Sequence, residues 1–197
     1  NPPETTLAEV YEPPFNNDKA PIQGFSPRGG DVDRDGVFWS ALASGHLASF
    51  DRRKCKGPLN GPLATGQHCP EGWTLYAEPL PQLKGVTDQG SAEGSYYTWV
   101  DQFDTLGLGR NTPINTGNAA EGLLALKDGQ FVTMRVPYPL GFYTKWMDGR
   151  IDDASAGWKG RGVWTTISTR APFHMETGPG TTSKVMHFQY RPDPLAK

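Results

Sequence analysis

Long apolar runs, unbalanced charge and most familiar catalytic motifs are missing from this chain of 197 residues. No apolar run approaches the roughly 18 residues that a membrane-spanning helix needs. Nineteen basic residues stand against 21 acidic ones and no basic patch stands out, which disfavours nucleic acid as a partner. Gly-x-Ser-x-Gly, a phosphate-binding loop, Cys-x-x-Cys-His and His-Glu-x-x-His are all absent. The chemistries that depend on those signatures are therefore set aside.

Helix signals are also nearly absent, whereas residues that make turns are abundant. The chain has 24 glycines and 18 prolines, and aromatic residues make up 11% of it. Many short strands joined by turns have this composition. The sequence therefore predicts an all-β fold, with one sizeable core for a chain of this length.

Cysteine is scarce, and its two copies enclose a loop rich in glycine and proline. Cys55 and Cys69 would close that loop as a disulfide and stabilise the fold by about 3 kcal/mol. With only His68 beside them they make a poor zinc site. We predict the disulfide, and with it a periplasmic or extracellular location. The alternative is two free thiols in a cytosolic protein.

Three segments of the chain resemble one another, each with an apolar run built on a tryptophan. The tryptophans are Trp39, Trp99 and Trp164, spaced by 60 and 65 residues. Second apolar runs follow at residues 46–50, 123–126 and 185–188. Strand repeats on this scale are typical of β-propellers and related arrays.

Three further runs stop at prolines, which lack the N–H that a strand ladder needs. They lie at residues 6–11, 73–78 and 131–136. Edge strands tolerate this pattern, so the runs are interpreted as the outermost strands of four-stranded blades. This register predicts an outer strand of a preceding blade at 1–14, a blade at 24–81, a blade with an insertion at 84–139 and a blade at 140–195. Residues 107–114 and 141–153 are predicted to be irregular connectors.

The number of blades has a consequence of its own. Closed propellers have four to eight blades, so about three cannot close a ring. The chain, which starts Asn-Pro-Pro, is therefore expected to be the C-terminal part of a longer propeller, with the rest in the same protein. Alternatively, its blades close by pairing with another chain.

The segment 30–39, followed by residues 47–51, resembles a blade of the streptogramin (virginiamycin B) lyase-like propellers. The long aromatic connectors are similar to those of the secreted members that carry an added carboxypeptidase-regulatory-like domain. The resemblance implies a seven-bladed, exported propeller. In the lyases the tryptophan precedes Phe-Thr-Glu, and active members use a Glu-x-His pair, a further His and Mg²⁺. Here Ser40, Val100 and Thr165 follow the tryptophans, so the resemblance implies the scaffold and carries over no catalytic residue.

Histidines and one glutamate supply the candidate catalytic residues. His174 and Glu176 could serve as base and orienting group, or ligate a metal with His187. His46 opens a strand directly after a turn and could point into a central channel. The alternatives are a loop for the first pair, a strand residue for His187 and a solvated turn residue for His46. The Asp-x-Asp-x-Asp-Gly segment at 31–36 starts like a calcium loop but lacks the twelfth-position Glu, so we interpret it as a turn.

The polar insertion after Trp99 and the connector at 141–153 supply the candidate ligand-binding residues. Arg150 is foremost, because a planar guanidinium suits carboxylate or phosphate. Asp101, Arg110 and Trp146 are the other three ligand-binding candidates. The neighbouring charges are Asp104, Lys145, Asp148, Asp152 and Asp153. The aromatic residues beside them are Tyr96, Tyr97, Phe142 and Tyr143. Surface ion pairs are the alternative for the charges, and core packing or display at a protein interface for the rings.

The function predicted from these features is binding rather than catalysis. We expect a non-catalytic, exported propeller that serves as a binding or scaffolding subunit for a partner protein or a small ligand. No cofactor is predicted, although Mg²⁺ or Ca²⁺ is compatible with the candidate residues. One alternative is a metal-assisted lyase or hydrolase that acts on a cyclic ester or lactone at the channel mouth. Another is a subunit of a redox or cofactor-bearing assembly.

Overall fold

The computed structural model describes residues 8–137, 141–151, 161–167 and 184–189. Within these ranges, eleven strands form three antiparallel sheets. The first sheet contains β1 (Pro27–Val32), β2 (Phe38–Leu42), β3 (His46–Phe50) and β4 (Trp73–Ala77). The second contains β5 (Thr98–Asp101), β6 (Thr112–Gly117), β7 (Gly122–Lys127) and β8 (Gln130–Arg135). The third contains β9 (Met147–Ile151), β10 (Arg161–Ile167) and β11 (Lys184–Phe188).

Each sheet is a simple meander in which strands adjacent in sequence pair with one another. The central strand β3 is buried along its whole length, whereas the outer strands β4 and β8 are partly exposed. Helical structure is limited to the single 3₁₀ turns Arg52–Lys54 and Pro70–Gly72 in the described part of the chain. None of the described helices is long and apolar enough to cross a membrane.

The three sheets are arranged as blades of a β-propeller. The innermost strand of the second sheet, β5, lies beside β1 of the first and β9 of the third. The larger core fills the space between the second and third sheets. Its fully buried members include Ile114, Leu123 and Val163. The first sheet has a smaller buried cluster of Leu42, Ala48 and Leu75. The predicted all-β propeller architecture is thus confirmed.

Glycines allow the innermost strands to approach one another closely. A Cβ atom added to Gly149 on β9 would lie 2.2 Å from Cη2 of Trp99 on β5. At the other junction the Gly29 N–H of β1 donates to the carbonyl of Tyr96, 2.8 Å away. A Cβ on Gly29 would lie 2.8 Å from that same oxygen. Both distances are shorter than any real side chain tolerates, so these two contacts require glycine.

The three tryptophan runs do not occupy equivalent strands. Trp39 and Trp164 lie on the second strands of their sheets, whereas Trp99 lies on the first. The strand β6 separates Trp99 from its second apolar run. Because β6 pairs on both sides and is buried along its length, its sheet neighbours stabilise it despite a sequence of modest strand propensity.

Two segments predicted to be irregular connectors contain strand residues. β6 begins inside 107–114, and β9 lies inside 141–153, so those predictions are wrong in part. β1 likewise includes Asp31 and Val32, and the predicted turn occupies the residues after them. In each case ladder hydrogen bonds to a neighbouring strand outweigh the local glycine content.

The loop between β3 and β4 carries the predicted disulfide. Cys55 and Cys69 are bonded, with their Cα atoms 5.1 Å apart, which confirms the pairing. Residues 8–14 contain no strand and lie against this loop, where Tyr11 makes a single parallel bridge with Gly66. The Tyr11 ring packs 4.5 Å from that of Phe50. Residues 1–7, the other half of the predicted outer strand, lie outside the described residues.

Candidate functional site

Two hairpins and two connectors meet at one end of the sheets, which we call the connector end. The hairpins join β2 to β3 and β6 to β7, and the connectors are residues 78–97 and 141–146. In an up-and-down meander, the chain enters the first strand at the same end as it turns between the second and third. Hydrogen bonds tie these segments together: Ser91 N–H donates to the Ser44 carbonyl at 3.3 Å, and Thr144 N–H donates to Asn118 Oδ1 at 2.8 Å.

The first connector is held between the two hairpins by its own side chains. The Ser91 hydroxyl donates to the Gly45 carbonyl of the first hairpin at 3.0 Å. The Glu93 carboxylate accepts the N–H groups of Ala119 and Ala120 in the second, at 2.7 and 3.0 Å. These contacts fix the position of the aromatic residue that follows, Tyr96.

A cleft of about 360 Å³ opens beside Tyr96, and we call it the cationic cleft. It is lined by Arg28, Ala92, Gly94, Tyr96, Asn118, Ala119 and Tyr143. The Arg28 guanidinium lies 4.3 Å from the centroid of the Tyr96 ring, and its Nη1 donates to the Ser95 carbonyl at 2.6 Å. Lys145 Nζ lies 4.6 Å from the same centroid. The two cationic groups are therefore no further apart than the sum of these distances.

The cleft carries positive charge that its own side chains do not neutralise. Neither Arg28 nor Lys145 forms an ion pair with a carboxylate in the described part of the chain. The pKa of the Tyr96 phenol is lowered, first by its hydrogen bond with Tyr143 and then by the charges of Arg28 and Lys145. Arg28, Tyr96 and Tyr143 line this concave space, and Lys145 lies against the Tyr96 ring. The arrangement is suited to an anion.

A buried carboxyl group lies behind the cleft. Glu78 is only 3% exposed, and its Oε1 accepts hydrogen bonds from Ser95 Oγ and Asn115 Nδ2, both at 2.7 Å. Burial raises the pKa of Glu78 to about 8, although these two hydrogen bonds act in the opposite direction. Near neutral pH the group is thus mostly protonated. Ser95 connects it to the cleft, because the same residue accepts the hydrogen bond from Arg28.

The candidate catalytic residues do not come together in the described structure. His46 is 1% exposed, its Nδ1 lies 2.9 Å from Ser44 Oγ, and burial lowers its pKa. It is therefore neither a solvated turn residue nor a group that faces a channel. His187 lies on β11, where its ring stacks on that of Trp164 at 4.4 Å. His174 and Glu176 lie outside the described residues.

The four predicted ligand-binding residues are divided between the two ends of the sheets. Both carboxylate oxygens of Asp101 accept backbone N–H groups, from Thr105 and Leu106, at 2.8 Å. Asp101 is fully buried and serves this turn rather than facing a ligand. Arg110 is exposed at the same end, remote in the fold from the connector end.

Trp146, by contrast, follows Lys145 at the connector end and is 45% exposed. Arg150 lies on β9 opposite Gly162, and its side chain is outside the described part, as are Asp152 and Asp153. The turn at 33–36 is built on Asp33, which accepts the N–H groups of Asp35 and Val37. The described residues contain no group of three or more side chains suited to a metal ion.

Arg28, Glu78 and Asn118 were not singled out by sequence. The proline-stopped runs align Glu78-Pro79 with Val136-Pro137, but the first run has Glu12 before Pro13, so the carboxyl at this position gave no distinct signal. Arg28 and Asn118 reach the cleft only through the packing of neighbouring sheets, which no local pattern reports.

Comparison with known proteins adds one distant structural neighbour. No protein-family model and no curated protein matches the chain. Among solved structures, a catalytically inactive virginiamycin B lyase from Staphylococcus aureus with quinupristin matches at a TM-score of 0.40 and 12% identity. The match covers 85% of this chain but 42% of that one, so the chain spans less than half the length of its neighbour. Similarity at this level assigns neither activity nor ligand.

Proposed function

We propose that this protein is a binding module whose cationic cleft takes a small anionic ligand. The observation that carries the proposal is the pair of cations, Arg28 and Lys145, that share the Tyr96 ring without a carboxylate partner among the described residues. Such a pair attracts an anion more strongly than either cation would alone, because the two attractions add.

The chemistry of the cleft favours a carboxylate, phosphate or sulfate group. A guanidinium presents several N–H donors in a fixed plane, whereas an ammonium acts as a mobile point charge. The phenols of Tyr96 and Tyr143 add hydroxyl groups at the cleft wall. Its volume lies at the lower end of the range typical of small-molecule sites.

The proposal includes a location outside the cytosol. The disulfide between Cys55 and Cys69 supports an exported protein, since such bonds persist in oxidising compartments. Trp146 and Lys145 are both exposed beside the cleft and would contact the part of a ligand that extends beyond it. A scaffolding role would use the same end if the anionic group belonged to a partner protein.

The test is a titration of the protein with acetate and sulfate at low ionic strength, followed by amide chemical shifts. We expect the largest shifts at Gly94, Tyr96 and Ala119. Lys145→Gln should weaken binding about tenfold, because one opposite charge near a partly buried anion is worth roughly 1.4 kcal/mol. Arg28→Gln should weaken it at least as much.

Lys84→Gln is the matched control, because Lys84 is an exposed lysine of the first connector that does not line the cleft. It should bind both anions as the unmodified protein does. Shifts scattered over the surface, or equal losses in the Lys84 and Lys145 variants, would show that the cleft is not an anion site.

A further inference from the structure

Ser95 joins the buried carboxyl of Glu78 to the cationic cleft. Its hydroxyl donates to Glu78 Oε1 at 2.7 Å, and its carbonyl accepts from Arg28 Nη1 at 2.6 Å. A single residue of the first connector thus contacts both an acid and the cation nearest to it. A change of charge on Glu78 therefore acts on Arg28 across one residue, from a buried carboxyl to a guanidinium at the exposed rim of the cleft.

We propose that the protonation state of Glu78 controls the affinity of the cationic cleft for anions. In its uncharged form Glu78 leaves Arg28 and Lys145 uncompensated, and the cleft binds an anion. In its ionised form Glu78 supplies negative charge beside Arg28 and competes with the ligand. This inference rests on the anion-binding function proposed above and names its regulation.

The contacts of Glu78 suit the uncharged form in the structure described. Both of its hydrogen bonds go to Oε1, and Oε2 has no partner among the described residues. An ionised carboxylate would leave that oxygen buried without a donor, which is costly. Burial accordingly raises the pKa of this group to about 8, so a modest change of pH around that value alters its charge.

Other ionisable groups lie near Glu78, and their titration must be distinguished from that of Glu78. On β1 the charged group is Arg28, and on β3 the pKa of His46 is lowered by burial. On the first connector burial raises the pKa of Glu93, and that of Tyr96 is lowered. Tyr143 and Lys145 lie on the second connector. His46 titrates below its ordinary range and so falls outside the window near pH 8.

Coupling of this kind requires that anion binding and proton binding assist each other. Bound anion stabilises the protonated form of Glu78, so the protein should take up a proton when ligand binds near pH 8. At about pH 6, where Glu78 is already protonated, no uptake by this group is expected. Proton uptake is a direct signature, because a purely structural role for Glu78 would not produce it.

The experiment titrates the protein with sulfate, whose own charge is constant between about pH 5.5 and 9. We expect the affinity for sulfate to fall about tenfold across the titration of Glu78. Calorimetry in two buffers of different ionisation enthalpy should report uptake of part of a proton per sulfate bound near pH 8. Glu78→Gln keeps an uncharged acceptor for Ser95 and should bind sulfate with no fall in this range and no proton uptake. Asp18→Asn, which alters an exposed carboxylate that does not line the cleft, should behave as the unmodified protein.

The outcomes separate the two proposals. If sulfate binds but Glu78→Gln retains the pH profile of the unmodified protein, control by Glu78 is wrong and the binding function stands. If sulfate binds at no pH, both are overturned. If Glu78→Gln does not fold, the side-chain carboxyl resonance of Glu78 is followed in the unmodified protein. Its titration should move upward in saturating sulfate, and an unmoved titration overturns the proposal.

Discussion

The first and second sheets share one backbone arrangement and differ in what it carries. After each outer strand, one N–H donates to a hairpin carbonyl: Glu78 to Gly45 at 3.0 Å and Val136 to Glu121 at 2.9 Å. The backbone positions are equivalent, but one side chain is a carboxyl and the other an isopropyl group. The repeated hydrogen bond fixes the same backbone position in both sheets. The presence of Glu78 where the second sheet has Val136 places an ionisable group behind the cleft.

The same two sheets are also stabilised by different means. The strands β7 and β8 are joined by the tight turn of Asp128 and Gly129, both with positive φ, and pack on the larger core. Between β3 and β4 the chain instead runs through the disulfide-closed loop, over a smaller buried cluster. The second sheet therefore depends on apolar packing, and the first on a covalent link as well.

Truncating one leucine in each core tests this contrast most strongly. Leu123→Ala, in the larger core, should lower the free energy of unfolding by about 4 kcal/mol, and Leu75→Ala, in the smaller cluster, by about 2–3 kcal/mol. Urea denaturation measures both. Equal losses would mean that the small cluster is packed as tightly as the large one.

Removing the disulfide should have the next largest effect. The double variant Cys55→Ser and Cys69→Ser should lose about 3 kcal/mol, as expected for a loop of this length. Hydrogen exchange should increase at Glu12, whose N–H donates to the Gly66 carbonyl of the loop, while amides of β7 keep their protection. Uniform acceleration in both sheets would contradict a stabilising role confined to the first.

Per pH unit, the smallest expected change is the loss of stability that Glu78 introduces and Val136 does not. Because the pKa of Glu78 rises from 4.5 to about 8 on folding, the folded chain keeps a proton that the unfolded chain releases. The free energy of unfolding should therefore decrease as pH rises through this window, by up to about 1.4 kcal/mol per pH unit.

Thermal unfolding of Glu78→Gln beside the unmodified protein isolates this contribution. The lowered pKa of His46 acts in the opposite sense, since its stability is lost as pH falls, and it is common to both proteins. Parallel pH profiles for the two proteins would show that Glu78 is ionised at the same pH in the folded and unfolded chains.

Much of the fold could be predicted because it depends on local patterns. Alternating apolar runs, turn residues and proline stops indicated β2, β3, β4, β7 and β8. β6 was missed because it is stabilised by strands on both sides, and its own sequence includes Pro113 within a buried strand. Its absence from the prediction also made Trp99 look equivalent to Trp39.

The site was harder to predict than the sheets. Tyr96, Tyr143 and Lys145 were noted as an aromatic and charged set, but their convergence depends on how two connectors cross the hairpins. Asp101 looked like a ligand-binding residue, because a sequence does not show that both oxygens of a carboxylate are already used by backbone N–H groups. Arg28 gave no sign at all, being one arginine at the start of a strand.

The close approach of Gly149 to Trp99 has a bearing on how such a protein can be altered. The missing side chain sets the angle between neighbouring sheets, since any Cβ would act as a wedge against the indole ring. Replacing Trp99 with a smaller residue and Gly149 with alanine together would transfer that volume from one strand to the other. The angle between the second and third sheets is thus adjustable through Trp99 and Gly149 alone. An engineer can use this pair to widen or narrow the space around the propeller axis without redesigning a sheet.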